Sequence, residues 1–189
     1  MIYKLRADRA NYLNCYIDSY TIEKTIGDFF LLHEDTWADF WKSVPCKFVD
    51  DSDAHTAIKV PDITVWETEN SLVLNQNAYD KLKQHLAKVG ELLPIECEGT
   101  PYWLFHSTNK TGMKHVDLNQ SARQVDEVDY VEMQALVFKE DSLKDQLVFQ
   151  TEFSNYRNMY CTEEFKTLVE SNGLKGLYFS TDLACIYEI

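Results

Sequence analysis

Basic side chains are scarce in this sequence. Lys and Arg number 18 against 31 Asp and Glu, a formal net charge of −13. Phosphate binding needs an excess of cations, so nucleic acid and anionic membranes are excluded as main partners. Such acidity keeps a protein soluble and attracts basic protein partners, chiefly by speeding encounter. No apolar run approaches the ~20 residues of a membrane-spanning helix. The opening stretch "MIYKLRADRANYLNCY" has no apolar signal core and no small-residue cleavage site, which predicts a cytoplasmic protein. The cysteines Cys15, Cys46, Cys97, Cys161 and Cys185 are odd in number and lack a CxxC pair, the pattern of reduced thiols rather than of a disulfide framework. Glycine is sparse too: the 6 glycines form no GxGxxG and no Walker sequence, the loops that cradle nucleotide phosphates.

Apolar and aromatic residues are plentiful. At 45% and 13% of 189 residues they supply a sizeable core for a single domain and argue against disorder. "MIYKLRA" alternates as a first or edge strand. Asp35 or Thr36 is placed to cap a short helix in which Trp37, Phe40 and Trp41 share one face, with Pro45 ending it. These aromatics are read as core rather than as a partner-binding anchor. "DITVWETENSLVLN" predicts two strands around Glu69-Asn70-Ser71. Asn75 or Asn77 begins a helix striped by Ala78, Tyr79, Leu82, Leu86 and Val89, with Asp80 placed to close a box with Asn77 and Gly90 at its stop. "LLPIECEG" and "PYWLFHSTN" read as a strand pair. The segment 117–152 carries nine acidic residues against three basic ones; it predicts strands around Val131–Phe138 and Phe149, with a short helix at 140–146 as an option. In "YCTEEFKTLVESNGLKGLYF", Thr162 is placed as cap, Glu163 and Glu164 suit the helix dipole, and Gly173 followed by Leu174 predicts a Schellman ending over Val169. "GLYF" and "ACIYEI" supply the last strands. The fold class is α+β: mixed, mainly antiparallel sheets with two clear helices and a short aromatic N-terminal helix.

Patterns with catalytic overtones are weak. Ser107-x-x-Lys110 and Lys110-Thr111-Gly112 look like β-lactamase elements, yet one lysine would have to serve both. His33, Glu34 and Asp35 are metal-ligand types, but adjacent side chains rarely converge on one ion. Asp50, Asp51, Asp53 and His55 lack the glycine and final glutamate of a calcium loop. His85 flanks an apolar stripe. Cys161 precedes a helix start, where a thiol pKa can fall, but has no identifiable histidine partner; a packed thiol is the plainer reading. No catalytic residue, cofactor or metal is expected.

The order of elements resembles a family of bacterial immunity proteins that accompany polymorphic toxins, including toxins delivered by type VI secretion. It is the eleventh immunity family, first described as a domain of unknown function. The resemblance is carried by Asp62 before "SLVLNQNAYDKL", with Asn75 where the family has serine. "GELLP" follows, then "YWLFHSTN", Val116-Asp117 where the family has Leu-Asp, Ser121, and "MYCTEEFKTLVESNGLKGLYF". It covers 61–179 as a family-like core, with 1–60 less clearly matched, within one immunity-type domain over 1–189. The resemblance implies a cytoplasmic, non-enzymatic antitoxin that binds a cognate toxin and occludes its active site. Charge adds that this partner carries a basic surface. Contact is expected at Asp50, Asp51 and Asp53 and at Asp126, Glu127 and Asp129. Two other classes remain in view: a small metal-assisted hydrolase using His33, Glu34 or the Asp50 loop, and an adaptor of a secretion apparatus.

Overall fold

Alternating apolar positions fix the architecture of this chain. The computed structural model describes residues 1–28, 35–52, 59–126 and 131–184. In chain order the elements are β1 (Ile2–Ala7), β2 (Asn14–Tyr16), α1 (Ser19–Ile26), β3 (Val44–Val49), β4 (Ile63–Trp66), β5 (Ser71–Leu74), α2 (Gln76–Leu86), β6 (Gly90–Cys97), β7 (Thr100–Ser107), β8 (Lys110–Thr111), β9 (Ala122–Val125), β10 (Val131–Ala135), β11 (Val148–Thr151), β12 (Met159–Thr162), α3 (Glu163–Ser171) and β13 (Leu177–Ser180). They form a five-stranded sheet, β13-β1-β12-β11-β8, a six-stranded sheet, β2-β3-β6-β7-β5-β4, and a separate β9–β10 ribbon. Pairing is antiparallel except between β3 and β6 and between β8 and β11. The fold is mixed α+β, as expected. The first strand is not at an edge: β1 lies between β12 and β13.

Both sheets are covered on both faces, so apolar residues at odd and even positions of one strand enter different cores. Tyr3 and Leu5 of β1, Ile63 and Val65 of β4, Leu72 and Leu74 of β5, and Met159 and Cys161 of β12 join α2 and α3 in the central core. Their alternates diverge. Trp66 and Val73 face a second core with α1 and Trp37, and Ile2 and Tyr160 face a third with Phe138 and Phe149. A one-residue slip would exchange these sets, which pins the register.

Helix signals are obeyed in part. Asn75 accepts from the Ala78 N–H at 2.9 Å, fixing the start of α2. Asp80 closes no box; it pairs with Lys83 at 2.9 Å and accepts from Gln76. Gly90 does not stop α2, which ends at Leu86. It opens β6 instead, where a Cβ would lie 2.2 Å from the His106 carbonyl and 2.5 Å from the Phe105 ring. Thr162 occupies the cap position of α3, yet its hydroxyl makes no capping bond and is buried without a partner. Glu163 and Glu164 fill the first turn, where carboxylates complement the dipole. Gly173, at φ +68°, ends α3, with Leu174 N–H donating to the Val169 carbonyl at 3.1 Å.

The expected aromatic helix is absent. Residues 38–40 form a single turn in which Phe40 and Trp41 both donate to the Trp37 carbonyl. Two constraints explain this. β3 begins at Val44, which confines any helix after Thr36 to residues 37–43, where few intrahelical bonds can form. The orphan N–H groups of Trp37 and Ala38 are taken by the Glu91 carboxylate, at 2.7 and 3.3 Å, rather than by a local cap. Trp37 is nevertheless buried core, as expected. An unforeseen helix, α1, is capped by Asp18, which accepts from Thr21 N–H at 2.9 Å, and is stopped by Gly27 at φ +100°. The 140–146 option proves to be a 3-10 turn over Glu140–Leu143. The expected last strand at 184–189 falls, beyond Ala184, outside the described residues.

Candidate functional site

The two sheets leave a cavity of about 680 Å³ at their seam, walled by the Trp37 turn, the β4–β5 loop, His106 of β7, Lys110 of β8, Gln150 of β11 and the 155–157 turn before β12. Four stretches far apart in sequence, at 37, 67–70, 106–110 and 150–157, therefore build it. Trp66 pairs with Ser71, so Glu67, Thr68, Glu69 and Asn70 form a four-residue hairpin loop. Such loops place their last residue in the left-handed region, which Asn tolerates well, and Asn70 has φ +47°. Asn155 and Tyr156 have φ +49° and +59°. Three of the four described non-glycine residues with positive φ thus line this one cavity. For Tyr156 that conformation costs about 1–2 kcal/mol. It is held by bonds from Tyr156 N–H to the Thr151 carbonyl and from Gln150 Nε2 to the Tyr156 carbonyl, both 3.0 Å. Local strain maintained by surrounding structure is a mark of functional sites.

The charges of the cavity fall into pairs, with one exception. Lys110 forms an ion pair with Asp35, and its ammonium sits 5.1 Å over the Tyr156 ring. The Lys110 bond holds the Asp35 carboxyl below its ordinary range. His106 is buried and stacks on Trp37 with centroids 3.8 Å apart. Its Nε2 lies 3.2 Å from the Asp35 carbonyl; a carbonyl only accepts, so Nε2 carries the proton. Burial lowers the pKa of this ring, which favours its neutral form. Glu67 pairs with Arg9, and Arg9 reaches Asp51 at 3.7 Å.

Glu69 is the exception. Burial pushes its carboxyl up to about 7, with no cation offsetting it. Among the described residues the carboxylate has no hydrogen-bond or ion-pair partner. The raised value has a stability consequence. The folded state holds this proton more tightly than the unfolded chain, whose value lies near 4.5. The associated stability is full below about pH 4.5 and is lost as pH rises through about 7. Urea midpoints are expected to fall across that window in the parent relative to Glu69→Gln, which carries no titrating group there. Parallel pH profiles for the two proteins would contradict this.

Of the acidic residues expected to contact a partner, three are described. Asp50 accepts from Ser52 N–H at 3.0 Å and from Ser52 Oγ at 2.5 Å. Asp51 accepts from Asn14 Nδ2 at 3.0 Å and lies beside Arg9. Asp126 follows β9 and is exposed. Asp53, Glu127 and Asp129 lie outside the described residues, as do His33, Glu34, His55 and Cys185. Asp51 and strand β9 are each tied to the cavity wall through an arginine. Asp51 connects by Arg9 to Glu67. β9 connects by Arg123, which donates to the Glu152 and Phe153 carbonyls just before the 155–157 turn.

Other candidates resolve into packing. Cys161 is fully buried, and burial pushes its thiol well up, which disfavours the thiolate. Cys15, Cys46 and Cys97, scattered in sequence, meet within one core on β2, β3 and β6, with Cys46 and Cys97 as register partners. Hydrogen bonding with Cys15 pushes the Cys46 thiol up, and hydrogen bonding with Cys46 does the same for Cys97. Ser107 Oγ accepts from Asn109 N–H, a turn contact of the β7–β8 link. Among the described residues no group of three or more His, Cys, Asp or Glu side chains is arranged to hold a metal ion, and no helix is long and apolar enough to cross a membrane. No family model matches this chain, and no curated protein matches it.

Proposed function

We propose that this chain is an immunity-type protein that acts in the bacterial cytoplasm. It binds a cognate toxin through a basic surface on that toxin and blocks access to the toxin's active site. The observation that carries this reading is a strained, polar cavity whose wall residue Glu67 pairs with Arg9, itself beside Asp51, and whose 155–157 turn follows a carbonyl bound by Arg123 of β9. The net charge of −13 and the order of elements from Asp62 to Phe179 support the same reading. Inhibition of this kind needs surface complementarity and about 800 Å² per partner.

Two measurements test it. Co-expression with the toxin gene beside its own should restore growth of poisoned cells, and no growth difference would end the proposal. The double variant Asp51→Lys, Asp126→Lys should then lower the association rate with the toxin about tenfold at low salt and flatten its salt dependence, with a smaller change in dissociation. Unchanged association kinetics would remove these residues from the interface.

A further inference from the structure

We propose that the seam cavity is a receptor for an organic cation, a guanidinium or an alkylammonium group, seated on the β4–β5 loop with the Glu69 carboxylate as its counter-ion.

Every other charged group at the cavity has bonding of its own. Glu67 is neutralised by Arg9, and Lys110 is neutralised by Asp35 and laid over Tyr156. His106 is enclosed by Trp37 and the Asp35 carbonyl. Arg157 already has an electrostatic or hydrogen-bond contact. Among the described residues of the cavity wall Glu69 alone is half-buried and unanswered, and no cation offsets its burial. A carboxylate withdrawn from water without a partner is destabilising unless a cation meets it. The wall beside it supplies neutral acceptors suited to a forked donor, among them the Asn70 side chain, which makes no hydrogen bond among the described residues. A bare metal ion is a poorer fit. It needs several converging oxygens, and no such group is present among the described residues. The volume of about 680 Å³ is that of an organic ligand site. Left-handed Asn70, Asn155 and Tyr156 fix the two turns that define the mouth, so the receptor is pre-formed rather than assembled on binding.

The cation has two sources: a Lys or Arg side chain of a bound protein, or a free amine. That a partner's side chain supplies it rests on the antitoxin reading; the receptor itself does not. Agmatine, which carries both a guanidinium and an ammonium, is the probe. Titrated into the full chain by calorimetry, it should bind saturably and about tenfold more tightly at pH 8 than at pH 6, as Glu69 ionises. Glu69→Gln should weaken binding at pH 8 at least tenfold and abolish the pH dependence. It removes a buried charge, so a urea midpoint no lower than the parent's at pH 8 shows that it folds. Absence of saturable binding, or equal binding by Glu69→Gln, overturns the receptor. A second arm assigns the source in cells protected by the parent. If Glu69→Gln loses both agmatine binding and protection, the cation belongs to the toxin. If it loses agmatine binding but still protects, the receptor serves a free amine. Failure of the parent itself to protect refutes the antitoxin reading and leaves the agmatine result standing.

Discussion

Gly176→Ala should lower the unfolding free energy by about 3–5 kcal/mol, a large share of the ~5–15 kcal/mol that holds a domain of this kind together. Gly176 sits where the chain entering β13 crosses β4. Lys175 accepts from the N–H groups of Asp62 and Ile63, and Gly176 accepts from Asp8 N–H at 3.0 Å. A Cβ there would lie 2.3 Å from Pro61 Cβ and 2.5 Å from the Ile63 carbonyl. Those neighbours are ring and backbone, held by the same hydrogen bonds, and cannot swing away. The φ of +113° adds strain for any L side chain. Strain of about 1–3 kcal/mol and overpacking of about 1–3 kcal/mol act together. Gly27 separates the two effects. It has φ +100° but nothing within 4 Å of its Cβ position, so Gly27→Ala should cost only about 1–2 kcal/mol. Equal urea midpoints for the two variants would show that the crossing is looser than described.

Asp62→Ala should be nearly as damaging, by about 2–4 kcal/mol. One carboxylate oxygen accepts from Asn75 Nδ2 at 2.9 Å and the other from Lys175 N–H at 3.1 Å. The Asp62 carbonyl accepts from Asn75 N–H at 2.8 Å. This aspartate therefore orients the cap of α2 and ties β4 to the strap before β13. Alanine leaves a half-buried amide unanswered and removes one of the bonds that hold the strap. Asn75→Ser keeps a capping oxygen and loses only the amide bond, so its cost should stay below about 1 kcal/mol. Urea unfolding read by helical circular dichroism measures both. A larger loss for Asn75→Ser than for Asp62→Ala would reverse the assigned hierarchy.

The sequence carried its periodicities openly. Alternation in "ITVW" and "SLVL" and the striping of Ala78, Leu82 and Leu86 reappear as β4, β5 and α2. The α1 helix was legible too: Asp18 as cap, Ile22 and Ile26 on one face, and Gly27 as stop are all standard marks. The aromatic turn misled because its spacing suits a helix while its real cap, Glu91, lies 54 residues away. Gly90 misled in the same manner. Its need is to let Phe105 and His106 approach across the β6–β7 pair, a constraint no local window contains. The cavity was illegible for that reason. "ETEN" reads as a turn, and nothing local says that Lys110 or Tyr156 will close over it.

The interior place of β1, between β12 and β13, governs how the chain can be made. Tyr3 donates to Glu163 across 160 positions, and Ile2 pairs with Thr162. At synthesis rates of about 5–20 residues per second, β1 waits on the order of 10–30 s for its neighbours. Throughout that interval Ile2, Tyr3 and Leu5 must be kept from other sticky surfaces. The five-stranded sheet therefore closes only after Ser180 has left the ribosome, and β1 is among the last of these strands to find its place.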